Sequence, residues 1–283
     1  AAPTSATTVL LGDDLRARGI TRVADALALV PGAVMVGSGP IGSLTSLFLR
    51  GGNSNYVRVL VDGVAMNAAG GAFDFSSLTI DNIERIEIVR GPASVLYGSD
   101  AMTGVIQVFT KDGRGPATMH ARYGRGSYGT ERTELGVAGG SRRYGFSLSG
   151  SRVRTDGILA FNNQFNNDVL SGLLRLHPTD RIDARLAARW SASAYHYPTD
   201  YAGNVVDRNA EQSDHRFVVS LDAGYRFSPR VEARVLLGSA EFLPRSNDGP
   251  DTPADTLGFY GFHSRSVETR RSADARFNVH FRP

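Results

Sequence analysis

From about Ala117 onward, hydrophobic and polar residues alternate with a period of two. Across Arg181 to Trp190 the even positions are Ile182, Ala184, Leu186, Ala188 and Trp190, all apolar. The odd positions, Arg181, Asp183, Arg185, Ala187 and Arg189, are nearly all charged. Phe217, Val219, Leu221, Ala223, Tyr225 and Phe227 repeat the pattern against Ser220, Asp222 and Arg226. Val231, Ala233, Val235 and Leu237 do so against Glu232 and Arg234, and Tyr144, Phe146 and Leu148 give a weaker copy. This is the period of a strand with one apolar face. Strands of about ten residues or more are long for a soluble sandwich but match a tilted membrane strand. Aromatics near strand ends, at Trp190, Tyr225 and Phe227, stand where an interfacial girdle would.

Tight polar turns join some strands, at His177-Pro178-Thr179-Asp180 and Ser228-Pro229-Arg230. Longer polar stretches join others, from Asp156 to Asn167, Tyr197 to Asp214 and Pro244 to Gly258. Short turns at one end and long loops at the other are the asymmetry of a transmembrane barrel. The same alternation also suits a soluble antiparallel sheet with one solvated face. A soluble two-domain binding protein is therefore the alternative of a different class, and purification without detergent separates the two. The pattern predicts about eight strands, and a closed eight-stranded barrel is filled by its own side chains. Either the first part of the chain sits outside such a small barrel or the strands are part of a larger one; an open sheet would leave unpaired edges in lipid, which points to a truncated chain.

The first part of the chain, residues 1–113, reads differently, as mixed α+β; residues 114–283 carry the alternating strands. Thr7 to Leu10 is a short strand, and Asp13 is placed to cap the helical turn after it. Thr21 is placed to cap the next helix, whose apolar stripe is Val23, Leu27 and Val30, and Pro31-Gly32 is expected to stop it. Leu47 to Gly51, Val57 to Val61, Ile83 to Arg90 and Val105 to Phe109 read as strands, with turns at Asp62-Gly63 and Tyr97-Gly98-Ser99. Two glycine-rich loops, Gly37 to Ser43 and Asn67 to Phe73, lie between these elements.

Composition narrows the class. The 283 residues are 41% hydrophobic, too many for a disordered chain, and no run approaches the length of a transmembrane helix. A net charge of +3 is too small to imply nucleic acid, and of 31 basic residues only Lys111 is lysine. There is no cysteine, hence no disulfide framework or thiol chemistry. No signal peptide is visible at Ala1. Gly124 to Gly129 spells a dinucleotide fingerprint, but alternating strands flank it, so it reads as a glycine-rich hairpin. The six histidines are scattered and no Gly-x-Ser-x-Gly elbow occurs, so no catalytic residue is assigned. Asp156, Asp168, Asp200 and Asp207 are candidate calcium ligands in the long loops. Arg50 and Arg90 each end an apolar strand before a glycine; they read as buried cations in need of carboxylates from elsewhere.

At these residues the chain resembles the TonB-dependent outer-membrane receptors. The matching words are Phe48-Leu49-Arg50-Gly51, Val59 to Val64, and Ile83 to Phe109 with Val89-Arg90-Gly91-Pro92 and Leu96-Tyr97-Gly98-Ser99, together with Ala24 to Leu27 and Val30 to Ala33. Thr103 departs from the pattern, which has the first of two glycines there, and a small local backbone change is expected. Within the family the chain looks most like the cobalamin transporters, through Leu44 to Gly52, Asn67 to Gly70 and Tyr97 to Ala101. The loop from Tyr195 to Asp207 resembles their calcium-bearing loop, with His196 where an aspartate is expected.

The resemblance implies a membrane β fold: a plug domain followed by the first part of a 22-stranded transmembrane β-barrel in the outer membrane of a Gram-negative bacterium. Such a barrel needs over about 400 residues, so the coding frame is expected to continue past Pro283; the coupling segment is not recognisable before Ala1. It further implies a monomer that is not an enzyme. Its role would be active import of a scarce bulky ligand, cobalamin first and a ferric siderophore or haem second, driven by the TonB energy-coupling complex. The plug apices Ser38, Gly39, Pro40, Ile41, Gly42, Ser43, Leu44 and Asn67, Ala69, Gly70, Gly71, Phe73 would cup the ligand. In this reading Ser38, Ser43 and Asn67 donate hydrogen bonds, and Ile41 and Phe73 make apolar contact. Arg50 and Arg90 would pair with glutamates on later strands.

Overall fold

Short apolar runs at Val57 to Val61 and Gly104 to Thr110 are largely buried on both faces and pair in parallel within a mixed sheet. The computed structural model describes residues 6–98, 100–200, 203–252 and 262–279. Its elements begin with β1 (Ala6–Leu11), α1 (Gly12–Ala17), α2 (Val23–Leu27) and the hairpin β2 (Ala33–Gly37) and β3 (Thr45–Leu49). They continue with β4 (Val57–Val61), β5 (Val64–Ala65), β6 (Ile83–Arg90), α3 (Ser94–Tyr97) and β7 (Gly104–Thr110). The five-stranded sheet has the order β1-β6-β7-β4-β5, with β4 and β7 parallel. Val57, Val59, Ile86, Ile88 and Ile106 fill its core together with Val23 and Leu27 of α2. Each such buried side chain contributes roughly 1.5–3 kcal/mol.

Several local expectations change. The N-caps of α1 and α2 are Leu11 and Arg22, and neither makes a side-chain cap bond. Asp13 instead sits in the first turn of α1 and accepts from Arg16 at 2.6 Å, a bond that holds its carboxyl below the usual range. Thr21 gives its carbonyl to the Ile80 amide rather than capping α2. That helix ends at Leu27, before Pro31. Ser94–Tyr97 forms a helical turn where only a loop was expected; Ser99 and the far end of the Pro244–Gly258 stretch lie outside the described residues. Thr103 keeps φ out of the left-handed region and donates its hydroxyl to the Tyr56 carbonyl at 3.1 Å.

Residues 111–117 lead into the second layer. β8 (Thr118–Arg125), β9 (Glu131–Gly140), β10 (Tyr144–Thr155), β11 (Phe165–Thr179), β12 (Ile182–His196), β13 (Glu211–Ser228) and β14 (Val231–Asp248) form an antiparallel meander. β15 (Phe262–Arg265) and β16 (Glu268–Val279) both pair with β14. They share one register: Arg245 faces Arg265 and Phe242 faces Glu268, so Pro244 falls opposite Ser266. The Ser266 amide still donates to the Pro244 carbonyl at 3.1 Å, but proline has no N–H to return, and the ladder is interrupted there. Among the described residues the wall thus has eight strand positions, the last of them split, in line with the periodicity.

The alternation is inside out. On β12, Leu186 and Trp190 are 46% and 40% exposed, while Ala187 and Arg189 are 4% and 7%. The set turned toward the first layer mixes polar and small or apolar residues, such as Asn167, Ser171 and Arg189 beside Leu173, Ala187 and Val218, while the set facing away is mainly apolar. A soluble one-sided sheet buries its apolar face; this wall presents it outward, as a lipid-facing wall does. Short turns at residues 141–143, 180–181 and 229–230 lie at one rim and the long connections at the other. Strands extend further than the polar stretches suggested: β11 starts at Phe165 and β13 at Glu211.

Candidate functional site

The first layer is held against the wall by polar bonds running from wall to plug. Asp81 is 1% exposed. It accepts from Arg132 Nη2 and Ser151 Oγ, each at 2.5 Å, while Arg189 reaches its carbonyl and bonds the Thr79 hydroxyl at 2.8 Å. Asn167 donates to the Ser77 carbonyl, Ser147 to that of Lys111 and Arg216 to that of Asp74. Apolar contact continues the seal, where Val64 and Met66 join Val218, Ala240 and Phe242 in one core. Gly238 makes room for the Val64 side chain; a Cβ there would stand 2.6 Å from Val64 Cγ2.

At the long-loop rim this seal opens into a cavity of about 390 Å³ between the plug apices and the upper ends of β12, β13, β14 and β16. Leu44, Met66, Phe73 and Phe242 supply its apolar surface; Tyr195, Gln212, Ser213, Asp214 and Glu268 bring polar groups from the wall. Phe73 and Phe75 pack edge to face at 4.7 Å, fixing the floor. Arg216 crosses it: Nε bonds Asp214 at 2.5 Å and the guanidinium stands 5.1 Å from the Phe73 ring centre. Asp74 is occupied in a turn, accepting from the Thr45 and Ser76 amides at 2.9 Å and from the Ser76 hydroxyl. Above Tyr195 lies Tyr197, stacked on it at 5.8 Å. Burial, with Asp248 and Asp207 nearby, pushes the Tyr197 hydroxyl up, so it stays a neutral donor.

The sequence-predicted apex residues divide by burial. Gly42, Leu44 and Phe73 line the cavity. Ser38 and Gly39 are exposed, and Pro40 and Ile41 half-buried. Gly42 has φ +96 and lies against the Phe165 ring, so this apex is braced by the wall. Ser43 is buried and its hydroxyl has no partner among the described residues. On the second apex, Gly70 is exposed with φ +89 and open space around it, and the Ala69 amide donates to Glu268 at 3.1 Å. Gly71 is buried, its Cβ position 2.6 Å from the Asn55 carbonyl.

Asn67 does not fit the ligand-donor role. It is wholly buried, its amide bonding the Val57 and Gly71 carbonyls and its oxygen the Val59 amide, all within 2.8 Å. It shapes the apex from beneath.

Two further expectations concern Arg50 and Arg90 and the four loop aspartates. Arg50 is exposed, with φ +52, and Arg90 is half-buried, donating to the Pro31 carbonyl at 2.8 Å and to Thr8 Oγ1. Neither meets a carboxylate among the described residues, and the glutamates expected on later strands are not among them; here Arg132, Arg189 and Arg216 of the wall bond to the plug. The four aspartates are not brought together. Asp168 lies in β11, not in a loop, and pairs with Arg152 on the outward face. Asp156 lies against Gly129, Asp200 bonds Asn204, and Asp207 holds the Asn209 and Ala210 amides. Among the described residues no group of three acidic or histidine side chains could hold a metal ion.

Residues 2–105 match the model of the TonB-dependent Receptor Plug Domain. Among solved structures, the siderophore receptor PirA from Acinetobacter baumannii is 19% identical, with 96% of this chain aligned to 44% of that one at a TM-score of 0.69. The ferric citrate transporter FecA, unliganded, is 17% identical over 98% of this chain and 45% of its own, at 0.78. The copper transporter OprC is 19% identical, covering 96% and 42%, at 0.70. The chain therefore spans less than half the length of the structures it matches. Its fold is that of the outer-membrane TonB-dependent receptors, a plug held inside the first strands of a barrel, and these findings support that family.

Proposed function

We propose that this chain, a TonB-dependent receptor plug with the adjoining barrel wall, belongs to an importer that moves a scarce bulky ligand across the outer membrane. One observation carries the reading: a cavity at the long-loop rim whose floor is the plug and whose side is the inward face of the wall. A ligand seated there touches both bodies at once. It can bias the plug's position only through contacts that differ between plug states, and a floor built from plug residues supplies them. TonB then pulls on the plug with energy from the inner membrane. No bond in the ligand is broken, and no residue is given a catalytic role.

For the ligand, the plug words Leu44 to Gly52 and Asn67 to Gly70 favour cobalamin. The second reading, a ferric siderophore, has specific support in the printed names of PirA, a siderophore receptor, and FecA, a ferric citrate transporter. The test is equilibrium binding to the full-length protein in detergent, with radiolabelled cyanocobalamin and with ferric siderophores. Gly70→Phe, at an open left-handed position on the apex, is expected to weaken the true ligand at least tenfold. Tight siderophore binding without cobalamin binding would transfer the protein to the second reading, and absence of both would remove the importer.

A further inference from the structure

The charge of the cavity goes beyond which family the protein serves. Four lining residues are ionisable at neutral pH: Asp74, Asp214 and Glu268 against Arg216. Three carboxylates and one guanidinium leave two net negative charges. The one cation is already committed. Its Nε serves Asp214, its Nη1 serves the Asp74 carbonyl at 3.2 Å, and its face lies on Phe73. Two of its three nitrogens are thus held by the protein.

The carboxylates are less fully answered. Asp214 is answered by Arg216 through Oδ2, while its buried Oδ1 has no hydrogen-bond partner among the described residues. Glu268 takes only the Ala69 amide and has no cationic partner among the described residues. The rest of the lining is hydroxyls, an amide and apolar side chains: Tyr195, Ser193, Ser213, Gln212, Leu44 and Phe242. In a partly desolvated site like charges repel far more than in water, and among the described lining residues Arg216 is the one cation, shared with Asp214 and the Asp74 carbonyl.

Resting on the importer reading above, we infer that this part of the site selects by charge. It accepts a neutral or cationic, hydrogen-bond-rich ligand with an apolar body and turns away polyanionic complexes. Carboxylate, serine, tyrosine and glutamine groups suit a ligand edged with amide or hydroxyl donors, and the Phe73–Phe242 surface suits a flat or bulky apolar core.

Two matched pairs of probes separate charge from shape. One pair is cyanocobalamin, neutral overall, and its derivative with side-chain amides hydrolysed to carboxylates. The other is a neutral ferric trihydroxamate and a triply negative ferric tricatecholate. Binding is measured on the full-length protein in detergent at low and high salt. In whichever pair binds, the neutral member is expected to bind at least tenfold tighter, the gap narrowing as salt rises. Glu268→Gln narrows the gap further, and Gln212→Arg, which adds a cation at an exposed lining position, raises the anion's affinity about tenfold with the neutral probe little changed. Equal or tighter binding of an anion to the wild type, or a gap indifferent to both substitutions, overturns the inference while leaving the importer standing. Binding of no probe at all overturns both.

Discussion

Asp62 shows how one residue can carry a turn, a bond and a pH response. With Gly63 it forms the β4–β5 turn, both at positive φ (46° and 83°), which an aspartate and a glycine tolerate best. Its carboxylate accepts from the Thr110 amide at 2.9 Å and the Thr110 hydroxyl at 2.6 Å. Burial nevertheless raises its pKa, outweighing those bonds and the pull of Arg185 and Arg189. The stability this group contributes is therefore complete below the ordinary aspartate value of about 3.9 and is lost as pH climbs through the raised folded value. Asp62→Asn keeps the turn conformation and an acceptor for Thr110 but cannot ionise. Between pH 4 and pH 8 its urea midpoint should rise relative to wild type. A difference constant with pH would show that Asp62 titrates normally.

At the same scale the sequence was readable where chemistry is local and opaque where it is not. Asp62-Gly63 announces its turn because both residues are adjacent. Asp13 looks like a cap, yet Arg16 one turn on takes its carboxylate. Asn67 looks like a ligand donor in a glycine-rich apex; only the fold shows its amide spent on Val57, Val59 and Gly71. Asp81 gave no signal at all, since its partners Arg132 and Ser151 are 51 and 70 positions away.

Among the elements, the wall strands were legible by period and mismeasured by length. Polar residues such as Asn166-Asn167 and Glu211 to Asp214 read as loop because polar runs usually are. In this wall a polar residue facing inward is the strand's normal state, and Asn167 meets its match in the Ser77 carbonyl. The outward set carries the opposite requirement. Leu186 lies within the outward apolar series from Ile182 to Ala194 on β12 and is 46% exposed. Leu186→Arg should cost about 2–4 kcal/mol in unfolding from lipid vesicles, with the same substitution near the strand end at Ile182 costing about 1 kcal/mol or less. The depth dependence is the diagnostic part. A solvated face would register both changes within about 0.5 kcal/mol of zero, and such a result would return the wall to the soluble reading.

For the whole molecule the question is what keeps the plug seated yet movable. Its apolar contact with the wall is concentrated where Val64 and Met66 meet Val218, Ala240 and Phe242. Apart from close packing at Gly42 on Phe165 and Gly63 on Leu236, the rest of the described interface carries hydrogen bonds and ion pairs, with Asp81 at the centre and Asp112 near Arg114, Arg175 and Arg185 at the linker. Such contacts are directional: they fix a position well, and they are exchanged for water at modest net cost once the gap is wetted, because each bond contributes only about 0.5–1.5 kcal/mol net. A purely apolar interface of equal area would resist separation and slide more freely in place. Removing the Asp81 charge tests this division directly. Asp81→Asn leaves the half-buried Arg132 without its counter-ion while Arg189 keeps the Asp81 carbonyl, a loss of about 1–3 kcal/mol. Hydrogen exchange on the full-length protein should then accelerate at Thr79 to Ile83 and along β6, while ligand affinity at the cavity, built from other residues, changes less than about twofold. If exchange instead stays protected, the apolar contact alone seats the plug, and the wall arginines serve some end other than holding it.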